Sequence, residues 1–388
     1  MPGSHSNDSQ LEQLIAALPP RSAIERTAIE IQQIPAPTFE EHERSEEVRR
    51  RFAALGLAEV EQDELGNVYG CRRGSSRGTG LMIVAHLDTV FQRTTDLAVR
   101  RAGSRICGPG IGDNSLGVAG LLHLAATIER VAPSLQNDIW YIADVCEEGL
   151  GNLRGMRAAM DRLAGQIGAV IALEGTGFGR VYHQAIGVTR LRVETRAPGG
   201  HSWADYGATS AVHLLAQIAA ALSHLYVPTQ PRSSLNIGVI QGGTSINVIA
   251  EEASLLLDLR SMDQGTLERL VAEVEAAISA VPCPRDATVM VTTVGRREAG
   301  AIAIDHPLAQ AAAAALQAVD AEVIWGSGST DANVPLARGI PAVCIGITQG
   351  CHAHRLDEHI DVTDIPRGME ALMRLVWSIS APNNSILR

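Results

Sequence analysis

The sequence predicts an α/β domain interrupted by a smaller α+β insertion. Short, wholly apolar runs recur along the chain, each closing on or just before a histidine or a carboxylate, as expected of strands buried on both faces. Helical periodicity fills the stretches between them. Residues 187–297 read differently, with strands that alternate apolar and polar positions. A chain of 388 residues, 46% of them hydrophobic, is also long enough for its core to divide in two. The expected division places residues 1–186 and 298–388 in one domain and 187–297 in the insertion.

The opening region reads as helical. Ser22 with Glu25, and Thr38 with Glu41, have capping-box spacing, and the second of these helices carries Val48, Phe52 and Leu55 before stopping at Gly56. A hairpin turns at Gly66 and Asn67. The first buried strand covers 81–85 and ends at His86. A helix carries Val118, Leu121, Leu122, Ala125 and Ile128. Further buried strands follow at 139–145, before Glu147 and Glu148; at 169–173, ending at Glu174; and at 341–347, followed by a loop with His352 and His354. The insertion reads strand 188–195, helix 210–225, strands 235–241 and 253–260, helix 267–278 and strand 288–294. That βαββαβ order is the ferredoxin-like unit.

Composition excludes several classes. There are 32 basic and 43 acidic residues, a formal charge of −11, and no Lys/Arg-rich run, so neither nucleic acid nor an anionic membrane is an expected partner. No stretch approaches the ~20 apolar residues of a membrane span. Residues 1–18 lack a basic segment followed by an apolar run, so no signal peptide is expected. Six cysteines with no CxxC pair read as free thiols, which points to a cytoplasmic protein. Cys146 and Cys351 fall near the motifs below but read as packing residues.

The chemistry gathers at the strand ends, where α/β sheets collect ligands. His86 and Asp88 lie two apart and face one side, an arrangement that suits a metal-bound histidine oriented by a carboxylate; alone, it fits a histidine satisfied by a turn equally well. Asp113 follows a run of glycines and precedes a helix, so on its own it reads as an N-cap in preference to a ligand. Glu147 and Glu148 are the most informative pair. Two carboxylates at the end of a buried strand repel each other and resist desolvation unless a cation is present. With one, the two can divide roles, one coordinating the metal while the other, unligated, serves as general base toward a metal-bound water. With Glu174 and a late histidine, the set of two histidines and three carboxylates suits two zinc-like ions better than calcium or magnesium. Asp113 is the natural bridge.

In these motifs the chain resembles the family of co-catalytic zinc hydrolases that includes peptidase T, carboxypeptidase G, succinyl-diaminopimelate desuccinylase and the aminoacylases. The resemblance runs from about His86 to the C-terminus. His86 and Asp88 match its His-x-Asp, Asp113 its bridging aspartate, Glu147 and Glu148 its base and ligand, and Glu174 its last carboxylate. His354, with Glu358 four residues on, matches its late histidine, in preference to His352 or His359. The resemblance implies a phosphorylase/hydrolase-like mixed sheet with a ferredoxin-like lid. It further implies one ion held by His86, Asp113 and Glu174 and another by Asp113, Glu148 and His354, with zinc expected and manganese or cobalt compatible. His201 corresponds to a lid histidine that polarises the scissile carbonyl in dimeric members, which implies a homodimer through the lid. Asn247 and Arg260 correspond to substrate contacts, Arg260 gripping a substrate carboxylate, although an ion pair at the surface fits Arg260 as well. Ser329 and Thr330 lie in a stretch that resembles the family's glycine-rich substrate loop. Two departures stand out. The loop before Asp113 lacks the Arg-Gly and Met-Lys-Gly that many members show, and Glu174 stands where dipeptidases and aminopeptidases have aspartate, as in desuccinylase-like and carboxypeptidase-G-like members.

The expected reaction is hydrolysis of a C–N bond, amide or peptide, in a small carboxylate-bearing substrate. A metal-dependent aminohydrolase of an aromatic amino acid, of the 5-nitroanthranilate type, satisfies the same residues. A non-catalytic binding protein on this fold would lack a ligand or the base, and all are present.

Overall fold

The computed structural model describes residues 3–76, 78–382 and 386–387. Met1, where the expected first domain and the stretch read for a signal peptide begin, and Arg388, where that domain ends, lie outside the described residues. The chain divides into two compact units, one of residues 1–185 and 301–388 and the other of 186–300.

The first unit is built on a twelve-stranded mixed sheet. Its centre is four parallel strands in the order Ile139–Asp144, Gly80–His86, Ile167–Thr176 and Ala342–Cys351. Side-chain alternation explains why they read as apolar throughout. Leu81, Ile83 and Ala85 enter one core, with the helix Gly117–Val131 and with Leu372 and Val376 of Ile365–Ser380, while Met82 and Val84 enter the other, with Trp140 and Met156. Strands covered on both faces have no polar side to show. The hairpin Ala58–Gln62/Val68–Arg72 extends one edge, with Gly66 at φ 111° in its turn.

Neither capping-box spacing marks a cap. The helix Arg21–Gln32 follows Pro20, and His42–Ala54 follows Glu41, with no side-chain cap at either start. Thr38 and Glu41 bond elsewhere. The short hairpin Arg100–Ala102/Arg105–Cys107 leaves no mark in the sequence because its strands are too short to show a period. No described helix is long and apolar enough to cross a membrane, and all six cysteines are free.

The second unit is a four-stranded antiparallel sheet in the order Ser233–Gly242, Glu252–Ser261, Gly187–Arg196 and Thr288–Arg297, the ferredoxin-like order. One face packs Leu191, Val193, Leu255, Leu257 and Leu259 against Leu214, Ile218, Leu270 and Val274 of the helices Ala211–Ser223 and Gln264–Ala280. Ser210 and Asp263 cap those helices.

Candidate metal centre

The carboxyl ends of the four central strands converge. His86 is the last residue of Gly80–His86 and Glu174 lies near the end of its strand. Glu147 and Glu148 follow Asp144, and His354 follows Cys351. The remaining ligand candidate arrives on a loop. Asp113 is not an N-cap, since the helix Gly117–Val131 begins four residues beyond it with Leu116 in the cap position; Asp113 itself has φ −111° and ψ 91°. Three partners fix that loop. Glu358, 1% exposed, accepts the N–H groups of Gly110 (2.7 Å), Gly112 (2.7 Å) and Asp113 (2.8 Å). Asn114 ties it to the strand bearing Glu174, donating to the Leu173 carbonyl and accepting from the Gly175 N–H, both at 2.9 Å.

Asp113 then stands between two histidines. Its Oδ1 lies 3.2 Å from His86 Nε2 and its Oδ2 3.2 Å from His354 Nε2. His86 Nε2 is 3.8 Å from Glu174, and His354 Nε2 is 2.9 Å from Glu148. His86, Asp113 and Glu174 offer ligand atoms within 4.8 Å of one another, and so do Asp113, Glu148 and His354. His352 turns instead to Asp357, at 2.9 Å. Each group combines one histidine with two carboxylates and shares Asp113, a donor set that fits a pair of divalent transition-metal ions.

Electrostatics agrees with a centre built for cations. Burial opposes a charge on His86, but Asp113, Asp88 and Glu174 outweigh it and hold its pKa well above the usual value. Asp113 and Glu148 hold His354 up to about 10. Asp113 is buried yet kept below the ordinary carboxyl range by both histidines, while burial pushes Glu148 up to about 7 and raises Glu174. Near neutral pH both imidazoles therefore hold protons that an entering ion must displace. A raised pKa keeps the proton on until the pH approaches it, so metal affinity should climb from pH 6 to pH 9 and binding should release protons. Calorimetry in buffers of different ionisation enthalpy measures that release, and a heat independent of buffer would contradict it.

Asp88, fully buried, organises the neighbouring backbone. Its Oδ1 accepts the Glu147 N–H and its Oδ2 the Glu148 N–H, each at 2.9 Å, while His86 Nδ1 lies 3.1 Å from its carbonyl and 3.5 Å from Oδ1. Glu147 is 6% exposed and belongs to neither ligand group. Thr330 is engaged in its own turn, its N–H donating to Asn333 and its hydroxyl accepting from the Ala332 N–H; Ser329, half-buried, precedes it. Two carboxyls escaped the sequence reading. Asp144, the strand partner of His86, is pushed up to about 8 by burial, and burial together with Asp144 raises Asp331 well above its usual value. The sequence signal for Asp144 is an acidic residue closing a buried strand, masked because Val145 prolongs the apolar run beyond it.

In the second unit, His201 and Asn247 are neighbours: the two-stranded ladder Gly200–His201/Val248–Ile249 joins them, and the Ser202 N–H donates to the Asn247 carbonyl at 3.1 Å. His201 Nδ1 faces the N–H groups of Trp203 and Ala204, at 3.2 and 3.3 Å. Arg260 donates to Asp258 from Nε (2.6 Å) and Nη2 (3.3 Å).

Comparison with known proteins agrees with this architecture. The chain is 27% identical over 342 residues to succinyl-diaminopimelate desuccinylase of Corynebacterium glutamicum, covering 86% of this chain and 90% of that protein. The aminopeptidase PepT of Bacillus cereus superposes with a TM-score of 0.74 at 21% identity, covering 92% of this chain and 98% of that one. The Bacillus subtilis protein YXEP, described as a dinuclear metal binding peptidase, superposes at 0.66 with 17% identity, covering 92% and 97%. The profile of Peptidase family M20/M25/M40 matches residues 82–378, and the chain belongs to that family of metal-dependent amide and peptide hydrolases.

Proposed function

We propose that this chain hydrolyses an amide bond in a small carboxylate-bearing substrate, with His86, Asp113 and Glu174 holding one divalent ion and Asp113, Glu148 and His354 holding a second. The observation that carries the reading is Asp113, whose two oxygens each face a different histidine at 3.2 Å. Two such ions, zinc by preference, would polarise the scissile carbonyl and ease ionisation of the attacking water. Glu147 takes the water's proton and returns it to the departing nitrogen. Asp88 orients His86 and fixes the backbone that carries both glutamates.

The second unit supplies substrate contacts. His201 Nδ1 accepts from backbone N–H groups, so the ring proton sits on Nε2, ready to donate to a developing oxyanion. Arg260 binds the substrate carboxylate with the donors Asp258 leaves, and Asn247 adds a polar contact. Ser329 and Thr330 line the substrate loop of the first unit. Arg260 pairs with Val188 at one end of the sheet, whereas Ala253, near the His201 and Asn247 end, pairs with Thr195. Seven residues of strand separate them, about 23 Å at roughly 3.3 Å per residue. One small substrate cannot reach both in one copy. A homodimer through this unit, one copy giving His201 and Asn247 and the other Arg260, removes the conflict. Free thiols throughout favour the cytoplasm.

The test is a substrate panel for the zinc-loaded protein: N-succinyl and N-acetyl amino acids, dipeptides, and aromatic amino acids assayed for ammonia. Amine release from an N-acyl amino acid or a dipeptide, abolished by chelation and restored by zinc, is the expected result. Ammonia release from an aromatic amino acid alone, or turnover that survives exhaustive chelation, would overturn it.

A further inference from the structure

We propose that Thr38, Glu41 and Arg44 form a largely buried brace that positions the metal centre by holding Asp88 and the backbone of the Glu147 segment. This rests on the reading above, in which Asp88 orients His86. All three residues precede the span matched by the family profile, which begins at residue 82.

The contacts are specific. The Thr38 hydroxyl donates to Asp88 Oδ2 at 2.9 Å, beside the Glu148 N–H on the same oxygen. Arg44 donates from Nη1 to the carbonyl of Leu87, between His86 and Asp88, at 2.7 Å, and from Nε and Nη2 to the Ile34 carbonyl at 3.1 and 2.6 Å. Glu41 Oε1 accepts the N–H of Cys146, the residue before Glu147, and that of Phe39, each at 3.0 Å. Thr38 is itself held by a bridge between Pro37 and Thr89, its N–H donating to the Thr89 carbonyl at 3.2 Å. One short segment therefore grips both ends of the centre's backbone, the turn after His86 and the turn before Glu147.

Two features argue that the brace serves more than folding. Arg44 is 2% and Glu41 4% exposed, and burying such charged groups costs more than burying an aliphatic pair would. Phe39, between Thr38 and Glu41, is held at φ 78°, a left-handed backbone that a bulky residue avoids unless its surroundings impose it. Carboxylates and hydroxyls that orient ligand histidines are worth roughly 10–100-fold in metal affinity.

Thr38→Val keeps the shape and removes only the hydroxyl. Zinc affinity is read by competition with a chromogenic chelator, and folding by the melting temperature of the chelated protein. Thr38→Val should bind zinc about 10-fold more weakly, with the metal-free melting temperature moved by no more than about 2 °C. Thr38→Ser should restore wild-type affinity. Arg44→Lys, which cannot span both carbonyls, should weaken zinc binding in the same direction and carries the test if the valine variant does not fold. Wild-type zinc affinity in Thr38→Val, or a loss in Thr38→Ser equal to that in Thr38→Val, would overturn the brace alone. Failure of the wild-type protein to bind zinc would overturn the proposed function and the brace with it.

Discussion

Glu147→Gln should leave metal content unchanged and lower kcat by about 100-fold or more, which is about 2.7 kcal/mol on the barrier. The amide keeps the size of the side chain, and the Glu147 N–H keeps its bond to Asp88, so the strand end need not move. What disappears is the capacity to accept a proton. Because the side chain belongs to neither ligand group, KM should change little. The neighbouring substitution separates two roles that adjacency confuses. Glu148 Oε1 lies 2.9 Å from His354, so Glu148→Gln should lose metal as well as rate. Steady-state kinetics combined with metal analysis on both variants decides the assignment. Activity within about 3-fold of wild type in Glu147→Gln would remove it from the role of base.

That contrast between neighbours also shows what a sequence can and cannot disclose here. His86 and Glu174 stand out because strands covered on both faces leave no other place for polar residues, so a charged group at the end of an apolar run signals itself. The ferredoxin-like unit is legible because Leu191, Val193 and Thr195 alternate with Arg190, Arg192 and Glu194. Taken alone, Asp113 reads as a cap because an Asp after glycines and before a helix usually is one, and only the grip of Glu358, some 245 residues away, turns it toward the histidines. Thr38 and Glu41 misled for a related reason. Their spacing is that of a capping box, but their partners lie 50 and 105 residues further on, beyond any local pattern. Local periodicity records which face of an element is dry, whereas the organisation of this centre depends on hydrogen bonds between distant turns.

Asp113→Asn should abolish both metal sites at once, and with them at least about 1000-fold of activity. The argument is one of stoichiometry. Glu174 belongs to one ligand group and Glu148 to the other, so substituting either should leave the second ion in place and reduce bound metal from about two equivalents toward one. Asp113 belongs to both, and an amide offers one neutral oxygen where the carboxylate presents two, each 3.2 Å from its own histidine. Removing its charge also loosens the protons on His86 and His354, which eases their displacement but does not replace the lost bridging ligand. Folding is checked separately: a ligand at 1000 times its Kd stabilises by about 4.1 kcal/mol, so zinc should raise the melting temperature of wild type clearly, of Glu174→Gln partly and of Asp113→Asn not at all. Should Asp113→Asn retain one tightly bound equivalent, the two ligand groups would not depend on a shared carboxylate, and the dinuclear reading would give way to two independent sites.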